Sequence, residues 1–232
     1  MSDQLDNSQK GKLNPRSKTK ALLLKEWKYE WKHFQSIASV LLFVISIVFL
    51  LYLYSGSFQS THWCMYYWLT SMFLMLFLGK NSIEEDLLRN RLYLFQLISP
   101  LRYLVAKILF LSFVYFVLQL VIFFIFQLLI PMNSLLSWHW LWICLLTALG
   151  MCSISVVGSF FSYLASQNGH LQMILSLPLC FPIVGLAYAA TLELADGGAW
   201  SKMFTLGSML MAVDLFNFAM ILFVVSLMRK HG

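Results

Sequence analysis

The sequence predicts an all-α integral membrane protein with six spanning helices, and three observations carry that prediction. Of 232 residues, 60% are hydrophobic and 11% charged. That leaves too few polar side chains to cover a water-facing surface, so most of the chain meets lipid. The apolar residues fall in six runs, 37–56, 61–79, 104–130, 138–164, 171–191 and 206–227, each near the roughly 20 residues needed to cross a hydrocarbon core about 30 Å thick. None of the runs alternates with a period of two, as the strands of about ten residues in a membrane β-barrel do.

The segment 1–20 carries Asp, Asn, Gln, Ser, Lys and Pro15 with almost nothing apolar. It cannot offset its ordering entropy by burial, and it is expected to be a disordered cytoplasmic tail. It has no apolar core followed by a small-residue cleavage site, so it does not read as a cleaved signal peptide. Over 21–36, Leu24, Trp27, Trp31 and Phe34 recur at steps of three and four while Lys25, Lys28, Glu30 and Lys32 take other positions. That spacing predicts an amphipathic helix lying in the membrane interface ahead of the first span. The rest, 37–232, is one membrane domain with a charged segment at 80–103 between spans two and three.

Orientation follows from the 16 Lys and Arg. Eight precede span one, five lie from Lys80 to Lys107, two are Arg229 and Lys230, and Lys202 alone falls in the remaining connections. The side with more Lys and Arg is cytoplasmic, which puts both termini and the 80–103 segment inside. The net charge of +6 thus reads as orientation signal and lipid anchoring, not as a nucleic-acid footprint. Short turns at 55–60 and 131–137 and a longer connection at 192–205 fall outside. The sequence shows no internal repeat, and the Pro178 and Pro182 pair of span five has no counterpart in span two, so the inverted-repeat signature of many transporters is missing.

The 80–103 segment is patterned. Glu84, Glu85 and Asp86 open it. Leu87, Leu88, Leu92, Leu94, Phe95 and Leu97 then mix with Arg89 and Arg91, and Ser99-Pro100 stops the run. Acids at the start and bases further along suit a helix dipole, and the pattern predicts a cytoplasmic helix over 83–100. Such a helix either rests on lipid or docks a soluble partner in a groove.

The acidic start, the Leu-rich run, Ser99-Pro100 and then Val105-Ala106-Lys107 together resemble the haem exporter protein B family, the cytochrome c maturation protein B. A second block agrees in order and place: Asn168-Gly169-His170, then Leu177-Pro178-Leu179-Cys180-Phe181-Pro182-Ile183, resembling a Leu-Pro-Leu-x-x-Pro pattern after a Gly-Gly turn. The resemblance runs over about 21–230, but only these two blocks are specific. Arg89-Asn90-Arg91 stands where the family commonly has an Asp-Gly step, and Asn168 or His170 replaces one Gly of the turn.

The resemblance implies an ABC-2-like permease, the membrane subunit of an ABC transporter in the bacterial inner membrane. It implies a second copy of the chain, a separate ATPase subunit and other cytochrome c maturation membrane subunits as partners, with haem handled in the complex. Glu84, Glu85, Asp86, Arg89, Arg91, Phe95 and Pro100 become the ATPase-coupling candidates. The chain is expected not to be an enzyme and to bind no cofactor itself, ATP acting through the partner, and no G-x-x-x-x-G-K-[ST] loop occurs. Two other classes share the pattern: an ABC-2 export permease for a lipid, polysaccharide or drug, and a non-transporting membrane assembly factor.

Polar residues inside the runs are few. Gln119 and Gln127 lie in span three and Asp214 with Asn217 in span six, and an intramembrane carboxyl is a functional candidate by default. Asp214 and Asn217 share a helix face and either bond a neighbouring helix or hold a polar substrate group. Pro178 and Pro182 are kink candidates, either static or changing between states. Trp138-His139-Trp140-Leu141-Trp142 reads as an interfacial aromatic belt or, less simply, as a haem contact. Cys64, Cys144, Cys152 and Cys180 have no metal or redox spacing and are expected to pack. His33, His62 and His170 lack a second ligand at helical spacing, so no metal site is expected. Ser153, Ser155 and Ser159 make no nucleophilic set with His170 and fit close helix packing instead.

Overall fold

A computed structural model describes residues 34–54, 59–97, 100–132, 137–165, 169–198 and 200–231. The expected tail at 1–20 and residues 21–33 of the expected interfacial helix lie outside the described residues. Those described form six helices: α1 Phe34–Tyr54, α2 Ser60–Leu97, α3 Pro100–Leu129, α4 Trp138–Ala165, α5 Gly169–Ala195 and α6 Trp200–His231. No strand occurs among them. Helices satisfy every backbone hydrogen bond within themselves, which lipid demands and an open sheet edge cannot give.

Four of these helices hold stretches long and apolar enough to cross a membrane: Leu101–Leu129, Trp138–Ser159, Ile174–Ala195 and Trp200–Phe223. In α1 the corresponding stretch, Leu41–Leu53, is shorter. The first turns of α2 carry Thr61, His62, Trp63, Tyr66, Tyr67 and Trp68, residues that are less apolar than those of a lipid-facing span. The larger rings sit there because one side of α2 faces the interior: Trp63, Tyr67 and Trp68 are buried with Cys64, while Thr61 and His62 are exposed.

The hub is α4. Inside the protein lies 72% of its apolar stretch, against 11% for that of α6, and α4 packs on α2, α3, α5 and α6. Small residues let its neighbours approach. A Cβ at Gly158 would run into the Ser176 hydroxyl of α5, and one at Gly150 into Ile183 of α5 and the Asp214 carboxyl of α6. Thr147, Ser153 and Ser159 turn their hydroxyls back onto the carbonyls of Ile143, Leu149 and Ser155, each at 2.7 Å, and so are satisfied within the helix.

Around that hub the outer faces are apolar. Leu128, Phe204, Ile174, Leu215 and Phe216 are among the large side chains turned outward, a girdle that a water-soluble monomer does not carry. The peripheral α1 touches α2 and α3, burying Val44 and Val48 and setting Phe43 edge-on to Phe77 at 5.9 Å.

Several boundaries differ from the sequence reading. Span two and the cytoplasmic helix after it, expected as separate elements, are one helix of 38 residues. Nothing between Leu78 and Leu87 breaks a helix apart from Gly79, which costs only about 1 kcal/mol. Pro100 begins α3 rather than ending the preceding helix, since its missing N–H is harmless at a first helical position. Phe34–Ser36, expected in the interfacial helix, belong to α1. The longer connection expected at 192–205 is mostly helix: α5 runs to Ala195 and α6 starts at Trp200. What terminates α5 is Gly197 at φ 68, with Gly198 N donating to Glu193 O at 2.7 Å and Gly197 N to Leu194 O at 3.4 Å, the glycine-terminated helix end that only a residue without Cβ forms at low cost.

Candidate functional site

The continuity of α2 bears on the charged segment first. At 1.5 Å per residue its 38 residues reach about 57 Å, beyond the roughly 40–45 Å of a whole bilayer with headgroups. One part, from Trp63 to Leu78, is set in the bundle core; the other continues through Glu84, Glu85, Asp86, Arg89, Arg91 and Phe95 to Leu97. Helix α3 starts at Pro100, immediately after residues 98–99. The side chains of these six residues and of Pro100 lie outside the described residues.

Within the core, α2 is tied to its neighbours by rings and hydrogen bonds. Trp63 stacks on Tyr67 at 5.3 Å and meets Phe123 and Phe126 of α3 edge-on at 5.9 and 5.4 Å. Its Nε1 donates to Ile130 O at 3.1 Å. Trp140 of α4 completes the cluster 3.8 Å from Phe123. Trp68 Nε1 donates to Thr191 Oγ1 of α5 at 3.0 Å, so this stretch of α2 reaches three other helices.

Gln119 is one of the expected intramembrane polar residues and sits at the centre of a buried network. Its Nε2 donates to Ser71 Oγ at 3.1 Å. Tyr115 OH donates to Ser71 O at 2.9 Å and lies 2.8 Å from Ser71 Oγ. Tyr67 OH donates to Gln119 O at 3.3 Å. Such a set joins α2 to α3 and explains why a glutamine is tolerated there. Gln119 Oε1 keeps no partner among the described residues. Gln127 instead closes the end of α3, where its side-chain amide bonds Met132 N and O at 2.7 and 2.8 Å.

Asp214 and Asn217 behave otherwise. Both carboxyl oxygens of Asp214 and the Asn217 Nδ2 are buried without a hydrogen-bond partner among the described residues. Among the described residues neither the Asp214 carboxyl nor the Asn217 Nδ2 makes the interhelical bond that is one of the two expectations. The Asp214 carboxyl lies against Gly150 of α4, at a cleft of about 260 Å³ between α3, α4 and α6. Leu109, Leu146, Leu149, Met211 and Phe218 make that cleft apolar, and Ser153 lines it too, its hydroxyl already committed to Leu149 O. No sequence pattern announces the cleft, because Gly150 and Asp214 are distant in the chain.

The other candidates divide. Pro178 and Pro182 lie inside α5 and both are exposed. The Trp138–Trp142 run is not a uniform belt: Trp138 and Trp142 are exposed while Trp140 is buried, and His139 meets Trp200 edge-on at 4.2 Å. All four cysteines are free and buried, with Cys152 Sγ 3.6 Å from Met75 Sδ. No three His, Cys, Asp or Glu side chains come together for a metal among the described residues.

At the end of the bundle where α5 meets α6, Ser60 Oγ donates to Asp196 Oδ1 at 2.8 Å and Lys202 pairs with Glu193 at 3.4 Å. An exposed pair of this kind contributes little to stability. Compared with known proteins, the chain matches no family model, no curated protein and no solved structure.

Proposed function

We propose that this chain is the membrane subunit of an ATP-driven complex, a six-span ABC-2-like permease of cytochrome c maturation. In this reading the ATPase is a separate subunit and haem or a haem chaperone is what the complex handles. Both termini and the 80–103 segment face the cytoplasm of a bacterial inner membrane, and two copies sit together above an ATPase dimer. The observation that carries the reading is the unbroken α2, which runs from the aromatic core to Leu97 and leads within two residues to Pro100 of α3.

A helix anchored in the bundle and longer than the bilayer is thick is a lever. A partner that closes on ATP binding and pushes the segment near Glu84 to Arg91 displaces α2 as a body, because a packed helix moves rigidly and does not bend smoothly. Through Trp63, Trp68 and Ser71 that motion reaches α3, α4 and α5. The charged residues supply electrostatic complementarity and the Leu residues an apolar face. The resemblance at 83–107 and 168–183 supports cytochrome c maturation over other export permeases.

Affinity purification of the tagged chain in mild detergent, with mass spectrometry of its partners, tests this. Wild type should retain an ABC ATPase and haem-handling proteins, and Glu85→Lys with Arg89→Glu should lose the ATPase while keeping the bundle folded. An ATPase with lipid- or polysaccharide-export partners would point to another permease class. No ATPase under conditions that preserve the fold would refute the reading in favour of a stand-alone membrane factor.

A further inference from the structure

We propose that the cleft between α3, α4 and α6 is a binding site for a small amphiphilic amine, its ammonium paired with the Asp214 carboxylate and its apolar body lying along Leu109, Leu149 and Phe218. A buried carboxyl with no partner among the described residues is expensive, and inside lipid such a group is retained where something pairs with it. Among the described residues the walls offer nothing that can: apart from Asp214 and the committed Ser153 hydroxyl, every residue lining the cleft is apolar. An occupant must therefore bring the positive charge and hydrogen-bond donors, and its remainder must be hydrocarbon.

Size and depth narrow the class. At about 260 Å³ the cleft falls just under the roughly 300–1,000 Å³ of sites for drug-sized ligands, which suits a short-chain amine. Asp214 lies well inside the apolar run 206–227, about 12 Å along the helix axis from its nearer end. That is too deep for the headgroup of a bilayer lipid. Exposed Leu109 and Leu215 flank the cleft, so a molecule dissolved in the lipid enters from the side. Because Gly150 carries no Cβ, the carboxyl sits close against α4, and pairing it with a ligand alters the α4–α6 contact directly. None of this depends on an ATPase partner.

The test uses the full chain in phosphatidylcholine nanodiscs and radiolabelled decylamine, with empty nanodiscs setting the partition background. Expected is one saturable site per chain, displaced by unlabelled decylamine and not by decanol. Asp214→Asn should weaken binding at least tenfold. Leu109→Trp, which fills the cleft from its lipid side and leaves the carboxyl intact, should weaken it comparably, so the result does not rest on one variant. Both variants must elute and melt like wild type. Absence of a saturable component, equal binding by Asp214→Asn, or competition by decanol would each overturn the proposal. So would displacement by phosphatidylethanolamine, which would give the cleft to a bilayer lipid, or loss of the site only in the assembled complex, which would give it to a partner's side chain.

Discussion

Trp63 offers the sharpest test of the bundle. In lipid the drive to pack helices is contact and hydrogen bonding, since removal from water contributes little between them. Trp63 is fully buried, with ring partners in Tyr67, Phe123 and Phe126 and one hydrogen bond to Ile130 O. Three aromatic pairs at roughly 0.5–1.5 kcal/mol each and one intramembrane hydrogen bond near 0.6 kcal/mol put Trp63→Ala at about 2–5 kcal/mol. Trp63→Phe keeps most of the ring and loses the N–H, so it should cost about 0.6–2 kcal/mol. Trp142 belongs to the aromatic run of α4 but is 52% exposed, and Trp142→Ala should stay within roughly 0.5 kcal/mol of wild type. A thiol-reactive fluorophore reports unfolding through the four buried cysteines on heating or on titration with sodium dodecyl sulfate. If Trp142→Ala destabilises as much as Trp63→Ala, the aromatic cluster is not the packing centre of the bundle.

Further outcomes follow from other contacts. Gly150→Ala should cost about 1–3 kcal/mol by overpacking. Adding Asp214→Ala should recover part of it, with a coupling above roughly 0.5 kcal/mol; strict additivity in the same unfolding assay would count against their contact. Trp68→Phe and Thr191→Val each remove the bond between α2 and α5 and should each cost up to about 1.7 kcal/mol, without adding when combined. In the folded protein a maleimide should label none of Cys64, Cys144, Cys152 and Cys180, all of which are buried, and should label all four after denaturation; rapid native labelling would contradict the core. Ile83→Pro breaks α2 between the core and the charged residues from Glu84 to Arg91 at about 3 kcal/mol of helix stability. In the proposed ATPase complex it should uncouple ATP turnover from any change in the bundle, read as cysteine cross-linking between α2 and α5.

The helices were legible because lipid makes apolar runs and helical hydrogen bonding nearly synonymous. What composition could not show is which helix lies inside. The α2 segment at 61–79 opens with rings and polar groups that suit lipid poorly, and the reason is its interior position, where Trp63, Tyr67 and Trp68 meet other protein and not lipid. The break expected near Gly79 was absent because one glycine is a weak interruption, whereas Pro100 and Gly197 act where a missing N–H or a positive φ decides. Asp214 was legible as a candidate by its charge alone. Its cleft was not, since it depends on Gly150, Leu109 and Ser153, which come together only through the packing of α3, α4 and α6. Ser71, which accepts from Gln119, and Tyr115, which bonds Ser71, were not legible because a lone serine or tyrosine in an apolar run carries no periodic signal.

Coupling to a cytoplasmic partner requires that α2 carry the 80–103 segment out of the bundle on the same side as both chain ends. Single cysteines in a cysteine-free background, at Gln4, Arg91, Gln167 and His231 on one side and at Ser57, Asn133 and Asp196 on the other, measure this with a membrane-impermeant maleimide on intact cells. The predicted result is labelling of the second group only, with the first group labelled after the membrane is opened. Labelling of Arg91→Cys in intact cells, or a terminus on the opposite side from Arg91, would contradict it.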